Sequence, residues 1–246
     1  MKRKDYINYE FEKLSERISV CVSQEHGFGT DAFLLADFCQ HKQKDIACDL
    51  GTGCGIIPLI LQRNAPPKLT YAVDIQEQAI EQLEISLEKS NIDSIVPICA
   101  DLKTLWNDAP LGTLSLVTCN PPYKAANAGI ESSLDAHKIA RHEILCNIDD
   151  VCCAASKLLK FGGRLCICNR PERLSDVIFA MKNNGIEPKR LRFVSKNENT
   201  APWLFLIEGK KGSKPFMQVL PQMYVWNKNG YSEEMERIYT TGKDEQ

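Results

Sequence analysis

From residue 45 onward the chain alternates short β-forming runs with helical stretches, and no other feature constrains its fold as strongly. Residues 45–50, 69–74, 95–100, 114–119 and 164–168 are apolar runs of strand length, bounded by turn residues. Residues 56–64 read as a helix that Pro66-Pro67 breaks. Residues 76–90 read as another, with Ala79, Ile80, Leu83 and Leu87 on one face and Glu77, Glu81, Glu84 and Glu88 on the wet side. A helix over roughly 138–160 is expected to stop at Phe161-Gly162-Gly163, and one over 172–184 to end near Gly185. Repeated strand–helix–strand units predict an α/β fold, a mostly parallel sheet with helices on both faces. Residues 190–194 and 203–208 complete seven strands. Their connection is too short for a helical crossover, which predicts an antiparallel C-terminal hairpin.

Outside this core, residues 1–44 read as an N-terminal extension, with a strand at 18–23 and a helix from Thr30 to about His41. Residues 45–209 form the main domain. The tail 210–246 has linker composition, then a short helix capped at Ser232, and is expected to fold back on that domain. With 43% hydrophobic residues and a net charge of −2, whole-chain disorder is excluded. The longest apolar run, 56–61, is interrupted by Pro58 and is far short of the roughly 20 residues of a spanning helix. The basic start has no apolar segment behind it, so no signal peptide is expected. Eleven cysteines, an odd number with no Cys-x-x-Cys, read as small buried hydrophobes in a cytoplasmic protein without a metal site. A monomer is expected. Charge is uneven: residues 71–120 carry eight acids against two bases, and residues 182–214 eight bases against three acids. The second segment reads either as a docking face for an anionic partner or as a solvated surface.

The first strand runs into Asp49-Leu50-Gly51-Thr52-Gly53-Cys54-Gly55, and a helix follows. Gly51, Gly53 and Gly55 allow a tight turn and close approach of a ligand, and the N–H groups at the helix start suit its polar atoms. Asp74 ends the second strand 19 residues after Gly55, where a carboxylate can accept both hydroxyls of an adenosine ribose. Dinucleotide binders use G-x-G-x-x-G, and Ile56 stands where the third glycine belongs. Asp101 follows the third strand and would lie beside the adenine, with Ile75 and Leu102 as neighbours, although a strand-end Asp is often only a cap. The fourth strand ends in Asn120-Pro121-Pro122-Tyr123, at the carboxyl edge where α/β sheets gather ligands. The prolines stiffen the turn. The Asn120 amide oxygen and a proline carbonyl can accept both hydrogens of a planar amino group, and Tyr123 offers a face for a flat base or amide.

Asp49 with the glycine loop, Asp74, Asp101 and the 120–123 tetrapeptide resemble the amino-group methyltransferases of class I. The resemblance implies a Rossmann-like fold and S-adenosylmethionine as cofactor. It gives Asn120, Pro121 and Tyr123 the substrate amino group, and Asp49, Gly51, Gly53, Gly55, Asp74, Ile75, Asp101, Leu102 and Asn120 the cofactor. Carbon-5 methylation of pyrimidines is disfavoured, because the position lacks the Pro-Cys nucleophile. Residues 28–36, 140–143 and 157–163 and the late Tyr231-Ser232 resemble the bacterial tRNA1(Val) adenine-37 N6-methyltransferases. That likeness implies a tRNA partner and places Thr30 and Asp31 at the methionine end of the cofactor; a plain helix start is the other reading of those two. Arg141 and His142 read either as phosphate contacts or as a solvated helix face. RNA docking would fall to the 182–214 segment, Lys2-Arg3-Lys4 and the loop 124–137. The competing expectations are glutamine-N5 methylation of release factors, guanine-N2 methylation of RNA, a nicotinamide-dependent dehydrogenase and a non-catalytic binding module.

Overall fold

The computed structural model describes residues 9–23, 27–105, 110–121 and 147–241. The chain opens with a hairpin of β1 (Glu10–Lys13) and β2 (Ser19–Val22), then α1 (Thr30–Phe38). The alternating core follows: β3 (Ile46–Leu50), α2 (Ile56–Asn64), β4 (Leu69–Asp74), α3 (Glu77–Ser90), β5 (Ile95–Cys99) and β6 (Leu114–Cys119). After it come α4 (Ile148–Leu158), β7 (Leu159–Asn169), a 3-10 turn (Pro171–Arg173), α5 (Leu174–Asn183), β8 (Ile186–Ser195) and β9 (Pro202–Lys211).

Seven long strands lie in the order β8-β9-β7-β6-β3-β4-β5. All pairings from β7 to β5 are parallel, and β9 alone runs against both its neighbours, as the short β8–β9 connection predicts. The order reverses between β3 and β6, so a crevice opens at their carboxyl ends. Alternate strand residues feed two cores, as pleating requires. Ala47, Leu116 and Cys166 pack beneath α1, α2 and α3, whereas Cys48, Val117 and Ile167 pack beneath α4 and α5. Pro58 occupies the first turn of α2, where its missing N–H costs no helical bond. Buried Ser86 and Gln82 of α3 bond the Cys21 backbone, Ser86 Oγ accepting from its N–H at 2.8 Å, which fastens the N-terminal hairpin to the core.

Two expectations are corrected. Phe161-Gly162-Gly163 does not end a helix: α4 stops at Leu158 and the glycines lie inside β7. There β7 bulges, with Ser115 alone spanning the interval that residues 160–163 fill. Gly162 takes φ +76°. A Cβ on Gly163 would stand 2.8 Å from the Leu114 carbonyl oxygen, so the pair serves close strand approach. Lys211 Nζ takes over the helix terminus, donating to the Ser156 and Leu159 carbonyls at 2.5 and 2.8 Å. The tail is also more than a linker. Its strands β10 (Gln218–Val219) and β11 (Met223–Tyr224) pair in parallel with β8 and extend the sheet. Strands β12 (Trp226–Asn227) and β13 (Gly230–Tyr231) form a small hairpin before α6 (Glu233–Thr240). The Ser232 hydroxyl accepts from the Met235 N–H, the cap that Ser232 predicts. Helix α6 is anchored to α1 by Arg237 and Asp37, at 2.8 and 3.0 Å.

Candidate active site

The glycine loop leaves β3 at the switch point. Gly51, Gly53 and Gly55 all adopt left-handed φ, at +71°, +54° and +81°. The Gly51 and Thr52 N–H groups both donate to the Val73 carbonyl at 2.9 Å, which folds the loop over β4. A Cβ on Gly51 or Gly53 would meet nothing within 4 Å, so both border open space. A Cβ on Gly55 would instead collide with the Leu83 side chain. The first two glycines therefore leave the loop open on one side, and the third lets α3 approach.

Asp74 ends β4 with both carboxylate oxygens oriented by backbone: Oδ2 accepts from Gly53 N–H at 2.8 Å and Oδ1 from Gln76 N–H at 3.0 Å. Each oxygen keeps a lone pair for a ribose hydroxyl. The Ala100 N–H donates to the Asp74 carbonyl at 2.9 Å, bringing the Asp101 turn beside exposed Ile75, with Leu102 half-buried next to it. Asp101 Oδ1 accepts from the Lys103 N–H at 2.9 Å, so this side chain also serves its own turn.

Asp49 is the buried charge at the centre. Its Oδ1 accepts from Thr118 Oγ1 at 2.6 Å, across the β3–β6 pair in which the two residues are opposite. Its Oδ2 is buried and makes no hydrogen bond of good geometry; the equally unsatisfied Thr52 hydroxyl of the adjoining loop is near enough to stabilise the carboxylate. Burial pushes the Asp49 carboxyl up to about 7; the Thr118 and Thr52 hydroxyls oppose the shift and the Asp74 carboxylate adds to it. A buried, incompletely satisfied acceptor beside a glycine cradle suits a ligand bearing an N–H cation. The ammonium of S-adenosylmethionine is such a group, and Asp74 suits its ribose.

Asn120 and Pro121 follow β6 directly, and both are half-buried. Leu50 pairs with Cys119, so the glycine loop and Asn120 leave neighbouring strand ends side by side. Asn120 Oδ1 accepts from the Cys168 thiol at 3.0 Å, a weak bond that fixes the amide while leaving a lone pair. Pro122, Tyr123, Arg141, His142, the loop 124–137 and Lys2-Arg3-Lys4 lie outside the described residues. Thr30 begins α1, its hydroxyl 3.0 Å from that of Tyr239, and Asp31 Oδ1 accepts from the Ala32 N–H. Both line a cleft of about 630 Å³ with Arg170, Lys196, Trp203 and Trp226.

The basic segment 182–214 is not a continuous docking face. Arg190 pairs with Glu208 at 2.7 Å and Arg192 with Glu234 at 2.6 Å. Lys182 pairs with Glu187, and Lys211 caps α4. The register sets Lys210 opposite Arg164 and Lys211 opposite Ile186, at the end of the sheet away from Asn120. Lys196, just past β8, lies at the crevice end. Sequence reasoning also missed the roles of Thr52, inside the glycine loop, and of Thr118, which carries no motif.

Among the described residues, no helix is long and apolar enough to cross a membrane, and no group of three or more His, Cys, Asp or Glu side chains could hold a metal ion. The described cysteines are free thiols.

The family model described as "Methyltransferase small domain" matches residues 17–180. A tRNA1(Val) (adenine(37)-N6)-methyltransferase of Parabacteroides distasonis is 24% identical over 200 residues, covering 81% of this chain and 82% of that protein. A Histophilus somni protein of the same description is 28% identical over 138 residues, covering 56% of this chain and only 58% of its own length. In structure, a predicted O-methyltransferase of Agrobacterium tumefaciens superposes with a TM-score of 0.70 at 17% identity, over 86% of this chain and 96% of the other. M. jannaschii TYW2 in complex with AdoMet gives 0.55 at 16% identity, over 85% and 88%. These structural likenesses show the shared α/β fold.

Proposed function

The chain belongs to the methyltransferase small domain family, and from that premise we propose that it transfers the methyl group of S-adenosylmethionine to the N6 amino group of an adenine in tRNA. The observation that carries the reading is the adjacency of two strand ends. The buried, incompletely satisfied Asp49 carboxyl and the glycine cradle leave β3 where Asn120 leaves β6. Relatives described as tRNA1(Val) adenine-37 N6-methyltransferases support tRNA as the acceptor and position 37 of a valine tRNA as the target. A cytoplasmic location accords with that substrate.

Within this reading Asp49 Oδ2 receives the cofactor ammonium, Asp74 the ribose hydroxyls, and Ile75, Asp101 and Leu102 border the adenine. When bound, the cofactor supplies an electrophilic methyl group. Asn120 Oδ1 and the Pro121 carbonyl accept the two amino hydrogens of a splayed adenine, which stacks on Tyr123. Held this way, the nitrogen lone pair turns out of conjugation and toward the methyl carbon. The Cys168 thiol, a weak donor, steadies the Asn120 amide oxygen at 3.0 Å. No covalent enzyme intermediate is needed.

Tritium transfer from S-adenosylmethionine to purified bacterial tRNA, beside a release factor as competing acceptor, tests the proposal. Label in tRNA alone is expected. Label in the release factor would replace this reading with glutamine-N5 methylation.

A further inference from the structure

We infer that the cleft between the start of α1 and the β8–β9 connection binds a second, unstacked nucleotide of the substrate strand, next to the adenine that is methylated. The inference rests on the RNA reading above and extends it to a site outside the catalytic tetrapeptide.

The cleft is an open groove of about 630 Å³, lined among others by Thr30, Asp31, Arg170, Lys196, Trp203 and Trp226. That volume falls in the range of small-molecule sites and accommodates one nucleotide. It lies beside the catalytic strand ends. The Cys168 thiol bonds Asn120, and Arg170 follows two residues later on the same strand end. Arg170 Nη1 donates to the Trp203 carbonyl at 3.1 Å, and its guanidinium stands 5.7 Å from the centre of the Trp203 ring. The Trp226 backbone N–H donates to the Lys196 carbonyl at 2.8 Å, so the tail runs beside the exposed lysine.

Trp226 remains 40% exposed although Tyr231 stacks on it, with centroids 4.2 Å apart and planes 27° from parallel. Tyr231 meets Tyr239 edge-on at 5.3 Å, and Tyr239 meets Phe33 at 4.8 Å. The exposed indole is thus the outer member of an aromatic row rooted in the core. An exposed aromatic face beside cationic side chains is the arrangement that single-stranded nucleic acid uses, bases stacking and phosphates pairing. Apart from residues 29–31 and Arg170, the lining belongs to residues 196–226, beyond the matched family segment 17–180, as a substrate-selecting addition would.

The test uses the full chain, bulk bacterial tRNA as methyl acceptor and a fluorescent RNA stem–loop with adenines in its loop. Trp226→Ala is expected to raise the tRNA KM about 10-fold or more, since loss of one base stack costs that much. The limiting rate at saturating tRNA and the S-adenosylmethionine affinity should stay at wild-type values, and Trp226→Phe should restore KM. Lys196→Ala changes an exposed side chain and leaves the fold intact. It should lower the slope of log affinity for the stem–loop against log salt by about 0.7, one phosphate contact fewer on a single strand. Wild-type KM in Trp226→Ala with an unchanged salt slope in Lys196→Ala would overturn the second nucleotide site while leaving tRNA as acceptor. Failure of the wild-type protein to label any RNA would overturn the acceptor class, and this site with it.

Discussion

Replacing Asp49 with Asn isolates a buried, incompletely compensated carboxyl. Asp49 is 1% exposed, and one of its carboxylate oxygens makes no hydrogen bond of good geometry. Its pKa stands at about 7 against 3.8 for the free side chain, chiefly because burial penalises the charge. The raised value fixes the sign. Below about pH 4 the group is protonated in both states, and the substitution is near neutral. Between about pH 4 and 7 the unfolded chain ionises while the folded protein holds its proton, so wild-type stability falls as pH rises. Above about pH 7 the whole penalty is present, roughly 4 kcal/mol at 1.36 kcal/mol per unit, as an upper bound. Asn keeps the shape and the acceptor for Thr118 but never ionises. Thermal melts of the unliganded protein at pH 5 to 8 should therefore show Asp49→Asn gaining on wild type, by up to about 10 °C at pH 8 for a chain of this size. The same variant should bind S-adenosylmethionine worse, because the counter-charge is gone. Wild-type affinity should weaken about tenfold per pH unit below pH 7, since binding must displace the proton. A melting difference that is flat across this pH range would refute the claim that Asp49 is a buried, raised carboxyl awaiting a cation.

Asp74→Asn should weaken cofactor affinity by roughly 1.5–3 kcal/mol in calorimetry, the worth of hydrogen bonds to a charged group, while the tRNA KM stays put. Asn120→Ala should lower the single-turnover rate on the order of 100-fold at saturating cofactor and tRNA, with both affinities retained, because misplacing the nitrogen by about 1 Å acts on the chemical step. Gly55→Ala should lower Tm by about 5–15 °C, since φ is +81° and the added methyl group meets Leu83. Lys189→Glu combined with Arg192→Glu should act on stability through the broken Arg192–Glu234 pair, leaving the salt slope of RNA binding unchanged.

The parallel core was legible because its strands and helices are long enough for two hydrophobic periods to separate. The glycine loop and Asp74 were legible because each residue type there has a conformational or hydrogen-bonding reason. Gly162-Gly163 misled, because a helix stop and a strand bulge both call for glycine, and contact with Leu114 decides between them. Strand β1 was hidden by Glu10, Glu12 and Lys13, which an exposed two-stranded ribbon tolerates. Strands β10 and β11, two residues each, take their conformation from β8 and not from local propensity. The basic segment misled for a related reason. A charge count ignores register, and register turns most of those lysines away from the crevice while Glu208 and Glu234 occupy two of the arginines. Thr118 became visible only when β6 was set beside β3. The aromatic cleft draws on residues 29–31, Arg170, 196–203 and 225–226, segments that no local pattern joins.

The most direct test of the account is nucleoside mass spectrometry of adenine-containing bacterial tRNA incubated with S-adenosylmethionine and either the wild-type protein or Asn120→Ala. N6-methyladenosine should accumulate with the wild-type protein and be nearly absent with the variant. Methylation at another atom, or equal product from the two proteins, would contradict amino-group transfer at Asn120.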